Sequence, residues 1–172
     1  AGRRSDCAGA VGSDGSVGTL EGKAATEETE DTGILIFGMI MAVPFVDTLT
    51  TNLNHSLPLT VGEFNEFGNA KENKKHFNYI RSYSPYQNIN KNISYPSIMF
   101  ITGALDTRVP PLAARKSVAR LQASSISGNP IILRYHQKAG HAAGRGLSFS
   151  QGIKDRSMEF VFMSQELGLI KK

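Results

Sequence analysis

The sequence predicts an α/β protein built on a mostly parallel sheet, and three observations carry that prediction. Apolar runs at residues 34–43, 97–101 and 130–135 have the length and the β-branched or aromatic content of strands. Segments with helical spacing of apolar residues follow them. The resulting order, strand, helix, strand, helix, strand, helix, is the one that parallel crossovers produce.

Residues 1–32 stand apart from that pattern as a flexible or atypical segment. They hold seven acidic and three basic residues, a net of −4, while the whole chain is +4, so residues 33–172 carry +8. Glycine recurs at positions 2, 9, 12, 15, 18 and 22 and large apolar side chains are scarce. Such a segment buries too little surface to offset its ordering entropy. The sequence opens on Ala1 rather than Met, which suggests a processed or truncated product.

From Gly33 onward each element has a local reason. Ile34–Phe37 and Met39–Val43 read as a strand buried on both faces, stopped by Pro44. Residues 48–70, with Pro58, Gly62, Gly68 and several asparagines, read as a long ordered loop with one short helical turn. Lys71–Tyr83 is helix material, with Phe77, Ile80 and Tyr83 on one face, and Ser84-Pro85 ends it. Ser97–Ile101 is a buried strand, and Pro111–Ala123 a helix opened by proline that turns Ala114, Val118 and Leu121 to one side. After a strand at Pro130–Tyr135, a last helix spans Gln151–Leu167. Its apolar stripe is Ile153, Phe160, Val161, Ser164 and Leu167, and Gly168 terminates it.

Composition excludes several function classes. With 172 residues, 40% hydrophobic and 20% charged, the chain suits a single globular domain. Its one cysteine, Cys7, allows no internal disulfide and no cysteine-based metal site, which excludes a stapled secreted scaffold and a zinc finger and points to the cytosol. The longest apolar stretch, Gly33–Val46, is interrupted by Gly38 and Pro44 and is too short to cross a bilayer. No signal-peptide run precedes it. The basic residues are scattered without an Arg-rich run, so the charge reads as solvation rather than a nucleic-acid surface.

In open α/β sheets the reactive groups sit in loops beyond the carboxyl ends of the strands. One such loop, Thr102–Pro110, carries Asp106; another, Gln137–Gly144, carries His141 among small residues that permit close approach. An Asp and then a His on successive strand ends suit a hydrolase, because a carboxylate fixes the imidazole's tautomer and steadies its charge. Alternatively, Asp106 caps the helix that starts near Pro110 and His141 simply ends a loop. The residues alone leave both open. His55, His76 and His136 have no comparable setting and take surface or core roles. A triad of this order needs a serine upstream, in a G-x-S-x-G elbow. Val11-Gly12-Ser13-Asp14-Gly15 and Asp14-Gly15-Ser16-Val17-Gly18 are half-matches that offer Ser13 as the nucleophile, against the alternative of a flexible Gly/Ser segment.

Several longer motifs occur in a fixed order: Val43-Pro44-Phe45-Val46-Asp47, Ser56-Leu57-Pro58-Leu59-Thr60, Gly62-Glu63-Phe64-Asn65-Glu66-Phe67-Gly68-Asn69 and Tyr83-Ser84-Pro85-Tyr86-Gln87-Asn88-Ile89. Tyr95-Pro96-Ser97-Ile98, Asp106-Thr107-Arg108-Val109-Pro110 and Lys138-Ala139-Gly140-His141-Ala142-Ala143-Gly144 follow. Together they resemble the peptidase domain of the prolyl oligopeptidase family. The first half is closest to its oligopeptidase B and prolyl endopeptidase-like branches, and the loop around His141 is similar to prolyl oligopeptidase itself. The resemblance implies an α/β-hydrolase fold, with residues 33–172 as the C-terminal part of the mostly parallel sheet and its flanking helices. It also implies a serine peptidase acting on short peptides through a Ser-Asp-His triad, cytoplasmic, without cofactor or metal.

By the same resemblance Asp106 is the triad acid, His141 the general base, and Arg108 a group that hydrogen-bonds the backbone of a bound peptide. Glu63 would pair with a basic side chain before the scissile bond, although the neighbouring matched position is the neutral Asn65. The family places Ser-x-Gly-Gly shortly before Val43-Pro44-Phe45, and residues 1–32 do not resemble that region. Its earlier strands, oxyanion donors and β-propeller have no counterpart in this sequence. The resemblance therefore implies a carboxyl-terminal fragment, inactive alone and needing the missing sheet and propeller. An esterase or thioesterase of the prolyl endopeptidase-like kind, and a catalytically inert binding protein, are the alternatives.

Overall fold

Seven consecutive residues, Ser97–Gly103, form β2, and every one of them is buried. That is the burial of a strand covered on both faces and paired on both edges. In the computed structural model, which describes residues 36–142 and 148–170, its neighbours are β1 (Gly38–Ala42) and β3 (Ile131–His136). Both run parallel to it, in the order β1-β2-β3. The register aligns Ile40 with Met99 and Met99 with Ile132, so residues on one face of the sheet continue from strand to strand.

Side chains alternate across the sheet and define two cores. On one face Ile98 and Phe100, joined by Met39, Met41, Ile131 and Leu133, pack under Ala113, Ala114, Val118 and Leu121 of α4 (Pro111–Ser124). On the other, Met99 and Ile101 with Ile40 meet Phe162 and Met163 of α5 (Phe149–Glu166). Each fully buried side chain of this size contributes roughly 1.5–3 kcal/mol by leaving water. The result is a three-layer α/β/α arrangement in which α4 links β2 to β3.

The segment between β1 and β2 forms its own small cluster. It contains α1 (Thr48–Leu53), α2 (Phe64–Phe67), α3 (Lys74–Tyr83) and a single 3₁₀ turn at Pro85–Asn88. Leu49, Ala70 and Ile80 are buried together, with Leu53, Phe77 and Tyr83 against them. Asn73 caps α3, its side chain accepting from the backbone N–H of Lys75 and His76.

Three expectations require correction. Residues 48–70 hold two helices rather than one short helical turn; α1 was hidden because its run of Thr and Asn is poor helix material. The expected first strand spans only Gly38–Ala42, is half-buried, and leaves Ile36 and Phe37 exposed. It packs on both faces, Met39 and Met41 on one side and Ile40 on the other, but at an edge of the described sheet it is paired on one side only and stays half-buried. Finally, α5 is rotated relative to its expected stripe: Ile153, Phe160, Val161 and Leu167 are exposed, while Asp155 and Phe162 are the residues buried. The helix does end at glycine. Gly168 has φ 69°, its N–H reaches Gln165 O and that of Leu169 reaches Ser164 O, a Schellman closure.

Candidate active site

Parallel strands place all their carboxyl ends on one rim, so the loops after β2 and β3 start side by side. Backbone bonds knit them together: Ala104 N–H donates to His136 O at 2.9 Å and Leu105 N–H to Ala139 O at 3.0 Å. Gly103 makes this approach possible, since a Cβ there would stand 2.3 Å from Ala139 O and 2.4 Å from Gly140 O. The small residues noted in the sequence thus bring two chain segments close enough for their next side chains to meet.

Those side chains are Asp106 and His141. The Asp106 carboxylate has no solvent exposure, and His141 Nδ1 lies 3.0 Å from its Oδ2 and 3.2 Å from its Oδ1. Oδ1 also accepts the backbone N–H groups of Arg108 and Val109, each at 2.9 Å. One carboxylate therefore closes the turn ahead of α4 and holds the imidazole; it does not cap α4, whose N-cap is Pro110 without a side-chain bond, and His141 does more than end a loop. Because an ionised carboxylate can only accept, the contact places a proton on Nδ1, and in the neutral imidazole that leaves the lone pair on Nε2. The His141 side chain is 40% exposed, and among the described residues nothing hydrogen-bonds its Nε2. The arrangement can do one thing chemically: present an oriented imidazole base to whatever approaches the rim.

The other predicted residues are placed as follows. Arg108 is exposed two positions beyond Asp106, its backbone serving the turn. Glu63 precedes α2 and lines a small cleft with Phe45, Thr48, Asn52, Thr60 and Phe67; neither Asp106 nor His141 lines it. Ser13, Ser16 and Cys7 lie outside the described residues, as do Ala143 and Gly144. His55 stacks edge-on against Phe64 at 5.0 Å, and His76 Nδ1 accepts from Asn69 N–H.

Sequence reasoning missed one polar group next to the dyad. Arg134 and His136, two apart on the α5-facing side of β3, meet the buried Asp155 of α5. Two polar residues alternating on an inward strand face were the available signal.

With this geometry in place, comparison with known proteins decides the ancestry. Residues 18–169 match the Prolyl oligopeptidase family. The chain belongs to the prolyl oligopeptidase family. The match begins within the segment that the sequence sets apart as residues 1–32. Dipeptidyl aminopeptidase BI of Pseudoxanthomonas mexicana is 37% identical over 134 residues, which is 78% of this chain and 18% of that protein. Prolyl endopeptidase-like of Xenopus laevis is 32% identical over 146 residues, covering 78% of this chain and 20% of that one. The structure of oligopeptidase B from Leishmania major superposes with a TM-score of 0.69 at 33% identity, over 76% of this chain and 18% of that chain. The fold is thus the α/β-hydrolase fold of this serine peptidase family, and the chain spans about a fifth of the length of these relatives.

Proposed function

We propose that this prolyl oligopeptidase family chain contributes the acid and base of a Ser-Asp-His triad that hydrolyses short peptides. The observation that carries the reading is the 3.0 Å contact between His141 Nδ1 and a fully buried Asp106 carboxylate at the carboxyl rim of the sheet. In this mechanism His141 Nε2 takes the proton from a serine hydroxyl as its oxygen attacks the scissile carbonyl. The imidazolium, steadied by Asp106, then protonates the leaving amine, and water releases the acyl group by the same route. Arg108, exposed beside the dyad, binds the peptide backbone. Glu63 favours a basic side chain before the scissile bond. Ser13 is this chain's nucleophile candidate, and it precedes the residues matched to the family.

Preorganised oxyanion donors are also required, since they supply much of the stabilisation of the tetrahedral intermediate. The reading therefore includes a further part of the family's peptidase domain and its propeller as partners for full activity, in the cytoplasm, on peptide substrates. No helix among the described residues is long and apolar enough to cross a membrane.

The test is hydrolysis of short chromogenic peptides and matched esters by the 172-residue chain, alone and together with the remaining domain of a family peptidase. Turnover that falls at least a hundredfold in both His141→Ala and Asp106→Ala supports the reading. Turnover indifferent to His141→Ala overturns it, and turnover retained in Ser13→Ala assigns the nucleophile elsewhere. The similarity to prolyl endopeptidase-like proteins favours a second reading, an esterase or thioesterase, which ester turnover without amide turnover identifies.

A further inference from the structure

The His141 loop leaves β3 at His136, so its aim depends on how the end of β3 is held against α5. The clamp between them is ionic and part-buried. Arg134 Nη2 pairs with Asp155 Oδ1, with side-chain exposures of 15% and 12%. Asp155 Oδ1 also accepts from Gln151 Nε2 at 2.8 Å, and Arg134 Nη1 contacts Met158 Sδ. Arg134 Nε donates to His136 Nε2 at 3.2 Å, and since a guanidinium can only donate, His136 accepts there and carries its proton on Nδ1. Asp155 Oδ2 is buried without a hydrogen-bond partner and stands 3.7 Å from His136 Nε2.

This is an expensive arrangement for stability alone, because apolar residues of similar volume often replace a buried ion pair at no cost. What it offers instead is direction, since a bonded guanidinium fixes angle as well as distance. The direction is passed on by backbone: the carbonyl of His136, whose ring Arg134 holds, accepts the N–H of both Ala104 and Ala139. Ala104 lies two residues before Asp106, and Ala139 two residues before His141.

We propose that Arg134, His136 and Asp155 are positioning residues for the dyad, a part-buried ionic clamp that fixes the β3 stem of the His141 loop against α5 and so holds the imidazole against Asp106. The inference rests on the triad reading above. It assigns none of the three a contact with substrate.

The test separates positioning from stability by using the full 172-residue chain and the double variant Arg134→Met with Asp155→Leu. The readout is the deshielded proton that His141 Nδ1 shares with Asp106, observed by ¹H NMR and assigned by its disappearance in His141→Ala. The expected result is cooperative melting near the wild-type midpoint with that signal reduced at least fivefold, and retention of the signal in Asp155→Glu, which keeps the guanidinium–carboxylate pair. An apolar variant that keeps the wild-type signal overturns the inference. So does one that loses cooperative melting, because the pair would then be structural only. A wild-type chain without the signal removes the dyad itself and the inference with it, an outcome distinct from the other two.

Discussion

Asp106 has two jobs on two sets of bonds, and a pair of substitutions can take them apart. Asn at this position keeps an oxygen where Oδ1 accepts from Arg108 and Val109 N–H, each at 2.9 Å, but puts an NH₂ in place of Oδ2, the nearer of the two oxygens to His141 Nδ1 at 3.0 Å against 3.2 Å. Ala removes both. The Asn oxygen is a neutral acceptor, and such hydrogen bonds are worth about 1 kcal/mol each, so the two come to about 2 kcal/mol. Asp106→Ala should therefore unfold at lower urea than Asp106→Asn, with a melting midpoint roughly 4–8 °C below it for a chain of this size.

The shared His141 proton should behave differently, being lost in both variants, because an amide donor facing Nδ1 selects the opposite ring tautomer. Urea and thermal melts followed by circular dichroism, beside the NMR signal, measure the two effects separately. Equal stability of the Asn and Ala variants would refute the turn assignment. An Asn variant that keeps the shared proton would refute the tautomer argument.

Two further outcomes follow from other parts of the fold. Burial pushes the Tyr83 phenol above the ordinary tyrosine range, with the neighbouring Tyr79 adding to the effect. The unfolded chain then ionises first, so this contribution to stability is complete below about pH 10 and fades as pH rises through the folded value. The wild-type urea midpoint should fall more steeply than that of Tyr83→Phe between about pH 9 and 11, and parallel curves would count against it. In α5, a Cβ at Gly152 meets nothing within 4 Å, so Gly152→Ala should raise stability by about 0.5–1 kcal/mol in thermal melts. Gly168→Ala should instead lower it, because φ there is 69°. A Gly152→Ala chain less stable than wild type would contradict the reading of that helix face.

The parts of this fold legible in the sequence are those where local and tertiary preferences agree. Ser97–Gly103 is apolar and buried throughout, and Pro111 opens α4 with Ala114, Val118 and Leu121 inward, as the spacing predicts. Asp106 and His141 were legible for a topological reason, since each directly follows a strand of the same parallel sheet. The sequence misled where a charge is buried. Asp155 turns inward because Arg134 meets it from β3, a partner 21 residues away, and that rotation sends Ile153, Phe160 and Leu167 outward. Helical periodicity counts apolar residues and is blind to a charge that meets its partner on another element. Thr48–Leu53 was missed for the reverse reason: its side chains are poor helix formers, and Leu49 and Asn52 are held by tertiary contacts, Asn52 bridging Gly68 O and Ala70 N–H.

The two ends of the sheet have different tasks. Where the strands begin, the Ser97 hydroxyl bonds Glu166, Asn129 reaches the Tyr95 carbonyl, and Ile98 N–H meets Pro130 O. Those are fastenings, remote along every strand from the imidazole. Natural variation can therefore rebuild the loops at one lip of the sheet while leaving the seams at the opposite lip untouched, which gives this architecture room to change its rim without coming apart.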